Sequence, residues 1–305
     1  MIVRDVMQTE MVTIQADQTL PDAVIKMGTL EARRLLVVDG KRLVGLLTSG
    51  EITQTLQKSS GPQTPWGIVF QAAFTHVRDI MTHQVYTVLE TDDLQVAIHS
   101  MLEHHVGGLP VLGEGDVLSG MLTLTDVLKA AARDPQPGWG LVRDHMSAGV
   151  LSVTPEMPLS AAAARLTVTR LRVMPVTKGP GDEPFSTGSR ALLGVLYQRD
   201  IRAAIIHAED GHGPTVLGDR FFLGNLTVRD MMRPPKNEIL VDAKVTEAVQ
   251  AMQMADVYGL PVVGHDGDLL GVITVSDILR LMVGGTSTAS EISAVSTRPQ
   301  AETNG

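Results

Sequence analysis

Four acidic side chains recur at one position of this sequence: Glu51, Asp126, Asp200 and Asp277 each follow a glycine (Gly45, Gly120, Gly194 and Gly271) by six residues. Thr123 and Thr274 precede their acids by three residues, Thr48 precedes Glu51 at the same interval, and Tyr197 holds that place before Asp200. An ionised carboxylate is a pure acceptor with two oxygens, able to take two neighbouring hydroxyl donors at once. The same Thr-x-x-Asp spacing at a helix start is also a capping box, which needs no ligand. Both readings stand at this point. Glu51 is one methylene longer than an aspartate and Tyr197 replaces the aliphatic hydroxyl, so the first and third copies depart from the pattern.

Catalytic chemistry has no comparable support. Cysteine is absent, which removes thiol nucleophiles, thiolate metal sites and disulfides, and fits a reducing interior. His99, His104 and His105 lie close together, but neighbouring residues of a helix point about 100° apart and no HExxH-type spacing occurs, so no metal site is expected. Neither a GxGxxG after a strand nor a GxxxxGK[ST] loop is present. Asp92-Asp93 and Glu209-Asp210 read as caps or turns. The chain is not expected to be an enzyme.

Composition narrows the partners. A net charge of −9 over 305 residues opposes phosphate-backbone binding, and 3% aromatic residues offer no stacking platform, so no nucleic-acid role is expected. The first twenty residues lack the apolar core of a signal peptide, and no stretch approaches the roughly 18 apolar residues of a membrane span. A cytoplasmic protein without membrane insertion is expected. The apolar run at residues 66–74 reads as a buried linker helix, and residues 284–305 as a disordered tail.

The elements that must position the acids come from internal repetition. Arg-Asp-x-Met occurs at Arg4–Met7, Arg78–Met81, Arg143–Met146 and Arg229–Met232, each about forty residues ahead of its glycine; in the third copy an insertion at 178–191 with surface-loop composition stretches this interval. Between the two signals each copy reads as a short strand, an amphipathic helix and two apolar strands, and a second helix follows. The first helices carry their apolar faces on Leu20, Ala23, Val24 and Met27; Leu94, Ala97, Ile98 and Met101; Leu159, Ala162, Ala163 and Leu166; and Val245, Ala248, Val249 and Met252. The fold class is therefore α/β (α+β), with four β-α-β-β-α repeats at about 1–58, 74–133, 141–208 and 225–283. One such unit cannot bury both its sheet face and its helices, so pairing is expected. Successive copies start 74, 65 and 86 residues apart, and the two longer links hold Gly61-Pro62 and Gly213-Pro214. That asymmetry predicts two modules, 1–133 and 141–283.

The segments RDVM, RDIM, RDHM and RDMM, then LLVV, GLPV, VMPV and GLPV, then GLLTSGEI, GMLTLTDV, GVLYQRDI and GVITVSDI, resemble the CBS (cystathionine-β-synthase) domain family over about residues 1–283. Tandem pairs of that domain are Bateman modules. The resemblance implies repeats packed through their sheets about a pseudo-two-fold axis, with adenosine-containing ligands in the clefts between them. It implies that the helix-start acid accepts the ribose hydroxyls and that the preceding Thr contacts ribose or phosphate. This maps onto Thr123/Asp126 and Thr274/Asp277 in full, and onto Thr48/Glu51 and Asp200 with the departures noted.

Arg33-Arg34 is similar to the basic pair of the AMP-activated kinase gamma subunit family, which reaches ligand phosphates, and Arg172 falls at the place of Arg33. The guanidinium fork suits phosphate; a solvated pair at a helix end, favoured by the helix dipole, is the other reading. Thr13, Thr87 and Ser152 match the family's opening-strand contacts, and Glu238 breaks that pattern. Val106, Leu109, Pro110 and Pro261 are candidates for purine contact or for ordinary core. The expected function is a regulatory protein that senses AMP, ADP, ATP or another adenosine derivative and acts on a target in trans by conformational shift, as a homodimer. S-adenosylmethionine, NAD and cyclic dinucleotides stay open as ligands. The alternative is a structural or interaction module with vestigial sites.

Overall fold

The computed structural model describes residues 1–30, 32, 34–58, 74–148, 151–169, 171–178, 191–201 and 226–284. Arg33, most of the expected linker helix, the interior of the 178–191 insertion, Gly213-Pro214 and the tail after Gly284 lie outside the described residues. The chain divides into two compact units, Met1–Val127 with the segment from Met282, and Leu128–Leu281.

In the first unit, Thr13–Gln15, Arg34–Asp39 and Arg42–Thr48 form one sheet, and Val88–Leu89, Gly108–Leu112 and Leu118–Thr123 form a second of the same topology. In each, the opening strand runs parallel to the middle one and the closing strand antiparallel to it. Helices Leu20–Thr29 and Leu94–Glu103 fill the crossovers. The apolar faces are buried as the periodicity predicts, except at Val24, which is 47% exposed while Leu20, Ala23 and Met27 are buried. The two sheets meet through Leu36 and Leu43 of the first repeat and Leu112 of the second, flanked by Leu46, Leu118 and Met121. Each such buried leucine contributes about 1.5–3 kcal/mol.

The second unit repeats this plan with local differences. Ile239–Leu240, Gly259–Val263 and Leu269–Thr274 form the fourth repeat's sheet, and Ser147–Ala148 of the third repeat joins its edge. The third repeat keeps a two-stranded sheet, Val173–Thr177 with Leu192–Tyr197; its expected opening strand is reduced to one bridge, Val153 to Val176.

The Arg-Asp-x-Met segments do not pack on their own repeats. Val3 and Arg4 donate backbone N–H groups to Asp92 and Glu90 of the second repeat, while Val77 and Arg78 donate to Gln18 and Ala16 of the first. The second unit makes the same exchange: Val142 and Arg143 bond Ala243 and Val241, and Val228 and Arg229 bond Met157 and Pro155. Each tetrapeptide is a clip. Its methionine lies over the glycine of the opposite repeat, so a Cβ at Gly120 would stand 2.7 Å from both Met7 Sδ and the Gln8 carbonyl. Gly45 faces Met81 and Thr82, Gly194 faces Met232 and Arg233, and Gly271 faces Met146 and Ser147 in the same way. Two of the arginines add ion pairs to the opposite repeat, Arg4 to Glu90 and Arg229 to Glu156.

A methyl group at Gly120 meets a backbone carbonyl that cannot move without leaving its bridge. Gly120→Ala should therefore lower stability by about 1–3 kcal/mol. Gly28→Ala, in a helix with open space around it, should raise stability by up to about 1 kcal/mol. Urea denaturation of both variants checks this; equal responses would refute the clip. Ser119 and then Arg4 hold the Glu90 carboxyl below its ordinary value. Its stabilising contribution is therefore present above the unfolded-state value and lost as pH falls through the folded one. Arg4→Ala should move the midpoint of acid unfolding to higher pH, read by circular dichroism.

Candidate functional sites at the four helix starts

The four acids occupy equivalent places. In every repeat the first residue of the middle strand, or its counterpart, lies directly opposite the residue three before the acid: Arg34 with Thr48, Gly108 with Thr123, Val173 with Tyr197 and Gly259 with Thr274. The pairing brings the start of one strand to the start of the closing helix, where N–H groups lack intrahelical partners. Arg34 is thereby opposite Thr48.

The helix-start cap is formed at three of the four acids. Asp126 Oδ2 accepts from the Thr123 backbone N–H at 2.9 Å and from its hydroxyl at 2.5 Å. Asp277 Oδ2 accepts from Thr274 at 2.8 and 2.7 Å, and Glu51 Oε2 from Thr48 at 2.6 and 2.9 Å, the extra methylene notwithstanding. These are capping boxes, of the kind also found at Thr19/Asp22 and Thr227/Asp230. One oxygen of each acid is committed to the box. The other takes a different donor. Asp126 and Asp277 are buried to 4% and 7% exposure, so that second oxygen also needs a donor.

The donors are residues that sequence reasoning missed. Gln8 Nε2 donates to Asp126 Oδ1 at 2.6 Å, the Thr82 hydroxyl donates to Glu51, and Arg233 donates to Asp200 Oδ1 at 2.6 Å. All three immediately follow an Arg-Asp-x-Met of the opposite repeat, a fixed position that could have flagged them. Asp277 takes Arg280 of its own helix at 2.7 Å.

The third repeat is different in kind. Tyr197 lacks the box hydroxyl, and Asp200 Oδ2 is buried without a hydrogen-bond partner. Burial raises the Tyr197 phenol above its ordinary value, against the lowering influence of Asn237, Arg199 and Arg233. The Arg199 and Arg233 guanidiniums stand 5.8 and 5.9 Å from its ring, and Arg199 also reaches the Asp256 carboxylate at 2.8 Å.

Other expected contacts separate. Arg172 lies 5.0 Å over the Tyr258 ring, at the position equivalent to its own in the paired repeat, while its carbonyl accepts from Gln198 beside Tyr197. Thr13 starts its strand opposite Leu36, and Thr87 is half-buried just before Val88. The Ser152 hydroxyl pairs with Thr177 at 2.8 Å in the core, which removes it from any open site. Glu238 is exposed; Leu109, Pro110 and Pro261 are buried, and Val106 is half-buried. His104 stacks on Tyr86 with ring centroids 3.7 Å apart. No group of three metal-binding side chains occurs among the described residues, and no helix among them is long and apolar enough to cross a membrane.

Four clipped α/β repeats, each with an acid at the start of its closing helix, define a class of tandem-repeat proteins. The CBS domain description matches residues 3–58, 77–133, 142–207 and 228–284, well over half of the sequence. The chain belongs to the CBS domain family. It is similar to protein MJ1225 of Methanocaldococcus jannaschii, 25% identical over 281 residues covering 89% of this chain and 95% of that one. The crystal structure of that protein has the same fold, with a TM-score of 0.69 over 92% of this chain and 100% of that one at 24% identity. The CBS domain-containing protein YhcV of Bacillus subtilis is 35% identical over 100 residues, 33% of this chain and 71% of that protein. Homoserine O-acetyltransferase of Methanococcoides burtonii matches at 30% over 131 residues, 43% of this chain but only 24% of the enzyme.

Replacing Asp126 by Asn keeps one acceptor oxygen but sets an NH2 against donors that already point at it. The loss of stability should be about 1–3 kcal/mol. Asp22→Asn, which breaks a box alone, should cost less. Urea melts in the absence of ligand compare the two; a smaller loss at Asp126 would show that the Gln8 bond contributes nothing.

Proposed function

We propose that this chain is a regulatory ligand-binding protein that senses an adenosine-containing nucleotide in the clefts between paired CBS repeats. The observation that carries this reading is the repeated placement of a carboxylate at the N-terminus of each closing helix, opposite the start of the middle strand. A carboxylate oxygen directed away from the capping box suits ribose hydroxyls, and the helix N-terminus favours phosphate. Arg34, opposite Thr48, is placed to add a phosphate contact. AMP, ADP, ATP or another adenosine derivative fits this chemistry. We take residues 1–133 and 141–283 as the two modules, because each reciprocal clip joins the first repeat to the second or the third to the fourth.

Regulation follows by population shift: a ligand that binds one packing of two repeats better than another moves the equilibrium toward it. Because the acids tie one repeat to its partner through Gln8, Thr82 and Arg233, filling a cleft alters a contact between repeats. A protein target in trans would read that change. A homodimer in the cell interior is part of this proposal. The second reading, an interaction module with vestigial sites, is favoured by one observation: in three of the four acids both oxygens already have donors within the protein.

Isothermal titration calorimetry with AMP, ADP and ATP should give micromolar dissociation constants, about −8 kcal/mol, with weaker binding of guanosine nucleotides. Removing a ribose hydroxyl should weaken binding by about 10- to 150-fold. At a hundredfold excess over Kd, the ligand should stabilise the fold by about 2.7 kcal/mol. No heat and no thermal shift with any adenosine compound would put the interaction module first.

A further inference from the structure

The four acid sites share one geometry and differ in what fills the acid's second oxygen. The residue after each Arg-Asp-x-Met crosses to the opposite repeat and bridges the backbone one residue beyond its glycine: Gln8 with Met121, Thr82 with Leu46, Arg233 with Val195 and Ser147 with Val272. This register aims its side chain at the acid five residues further on. Gln8, Thr82 and Arg233 are long or well placed enough to donate to it. The fourth position holds the short Ser147, and there Asp277 Oδ1 is taken instead by Arg280, whose side chain is 66% exposed.

We propose that this residue is a gate that sets which acid can accept a ligand, and that the Asp277 cleft is the high-affinity one. The inference rests on the adenosine-ligand reading above and goes beyond it by ranking the clefts and naming the side chains that rank them. A hydroxyl pair reaching Asp126 or Glu51 must displace a donor anchored on the opposite repeat, and Asp200, whose Oδ2 is without a partner, lacks the threonine hydroxyl of the other three sites. A hydrogen bond to a carboxylate is equivalent to about 10- to 150-fold in affinity. Arg280, itself 66% exposed, can swing into water from Asp277 without breaking any contact between repeats, and this is the smaller cost. The gate also separates two consequences of binding. At Asp277 a ligand releases a side chain of the same helix, while at Asp126 it cuts a bond to the opening segment of the other repeat.

The test titrates AMP into the full chain by calorimetry, with circular dichroism to establish that each variant is folded. In the parent, Asp277→Asn should abolish the tightest site, and Ser147→Gln, which installs the Gln8 arrangement at an exposed position, should weaken it at least about tenfold. Gln8→Ser should create a second tight site that Asp126→Asn then removes. Thr82→Ala, at an exposed residue, should do the same for Glu51 if Gln8→Ser compromises folding. Weaker AMP binding in Gln8→Ser would make Gln8 a ligand contact and overturn the gate. Unchanged affinity in Ser147→Gln, or a tight site that survives Asp277→Asn, would overturn it as well while leaving nucleotide sensing intact. An absence of AMP binding in the parent and every variant would instead remove the adenosine reading, and the gate with it.

Discussion

The contact between a methionine of one repeat and a glycine of its partner is the constraint on which the rest of this protein depends. It occurs four times, and each time the sulfur and the following carbonyl fill the space a Cβ would need. Close backbone approach of this kind admits only glycine. Because the carbonyl belongs to a residue that also bridges the opposite strand, the contact fixes distance and register together. A slip of one residue would turn every side chain of the strand to the other face. The clip therefore sets which faces of the two sheets meet, and in the first unit those faces bury Leu36, Leu43 and Leu112.

The acid sites are a consequence of the same register. Three residues after the clipped glycine comes the threonine, and three later the acid, so anchoring the glycine anchors the helix start. The residue after the methionine is carried to the acid by the same bridge. One local arrangement thus joins a helix cap and an inter-repeat tie. Asp126 and Asp277 each use one oxygen for the box and hold a second donor, Gln8 or Arg280, on the other.

The four sites have diverged within that frame. The third replaces the box hydroxyl with a buried phenol and leaves Asp200 Oδ2 without a partner, flanked by Arg199 and Arg233. Buried polar atoms without partners carry a free-energy cost of about 1–3 kcal/mol each, so this is the least settled of the four environments. Arg172 lies over the Tyr258 ring, and the sequence counterpart of Tyr258 in the second repeat is Gly107. The glycine and the methionine recur in all four copies, while the residues around each acid differ.

Much of this was legible in the amino-acid sequence. The periodicity of Arg-Asp-x-Met, glycine and acid determined the number of repeats, their internal order and the positions of all four acids, because each signal is a local requirement of a turn, a close contact or a cap. The helical faces followed too, apart from Val24. The tertiary structure decided what those signals touch. That Met7 lies over Gly120 and Gln8 on Asp126, over a hundred residues away, depends on the exchange of opening segments between repeats. No local propensity encodes that exchange, since the segment is equally helical on either partner. The same holds for Ser152, which reads as an open hydroxyl and is spent in the core on Thr177. Local chemistry is written in neighbouring residues; which oxygen is left to meet a ligand depends on contacts that exist only once both repeats have folded together.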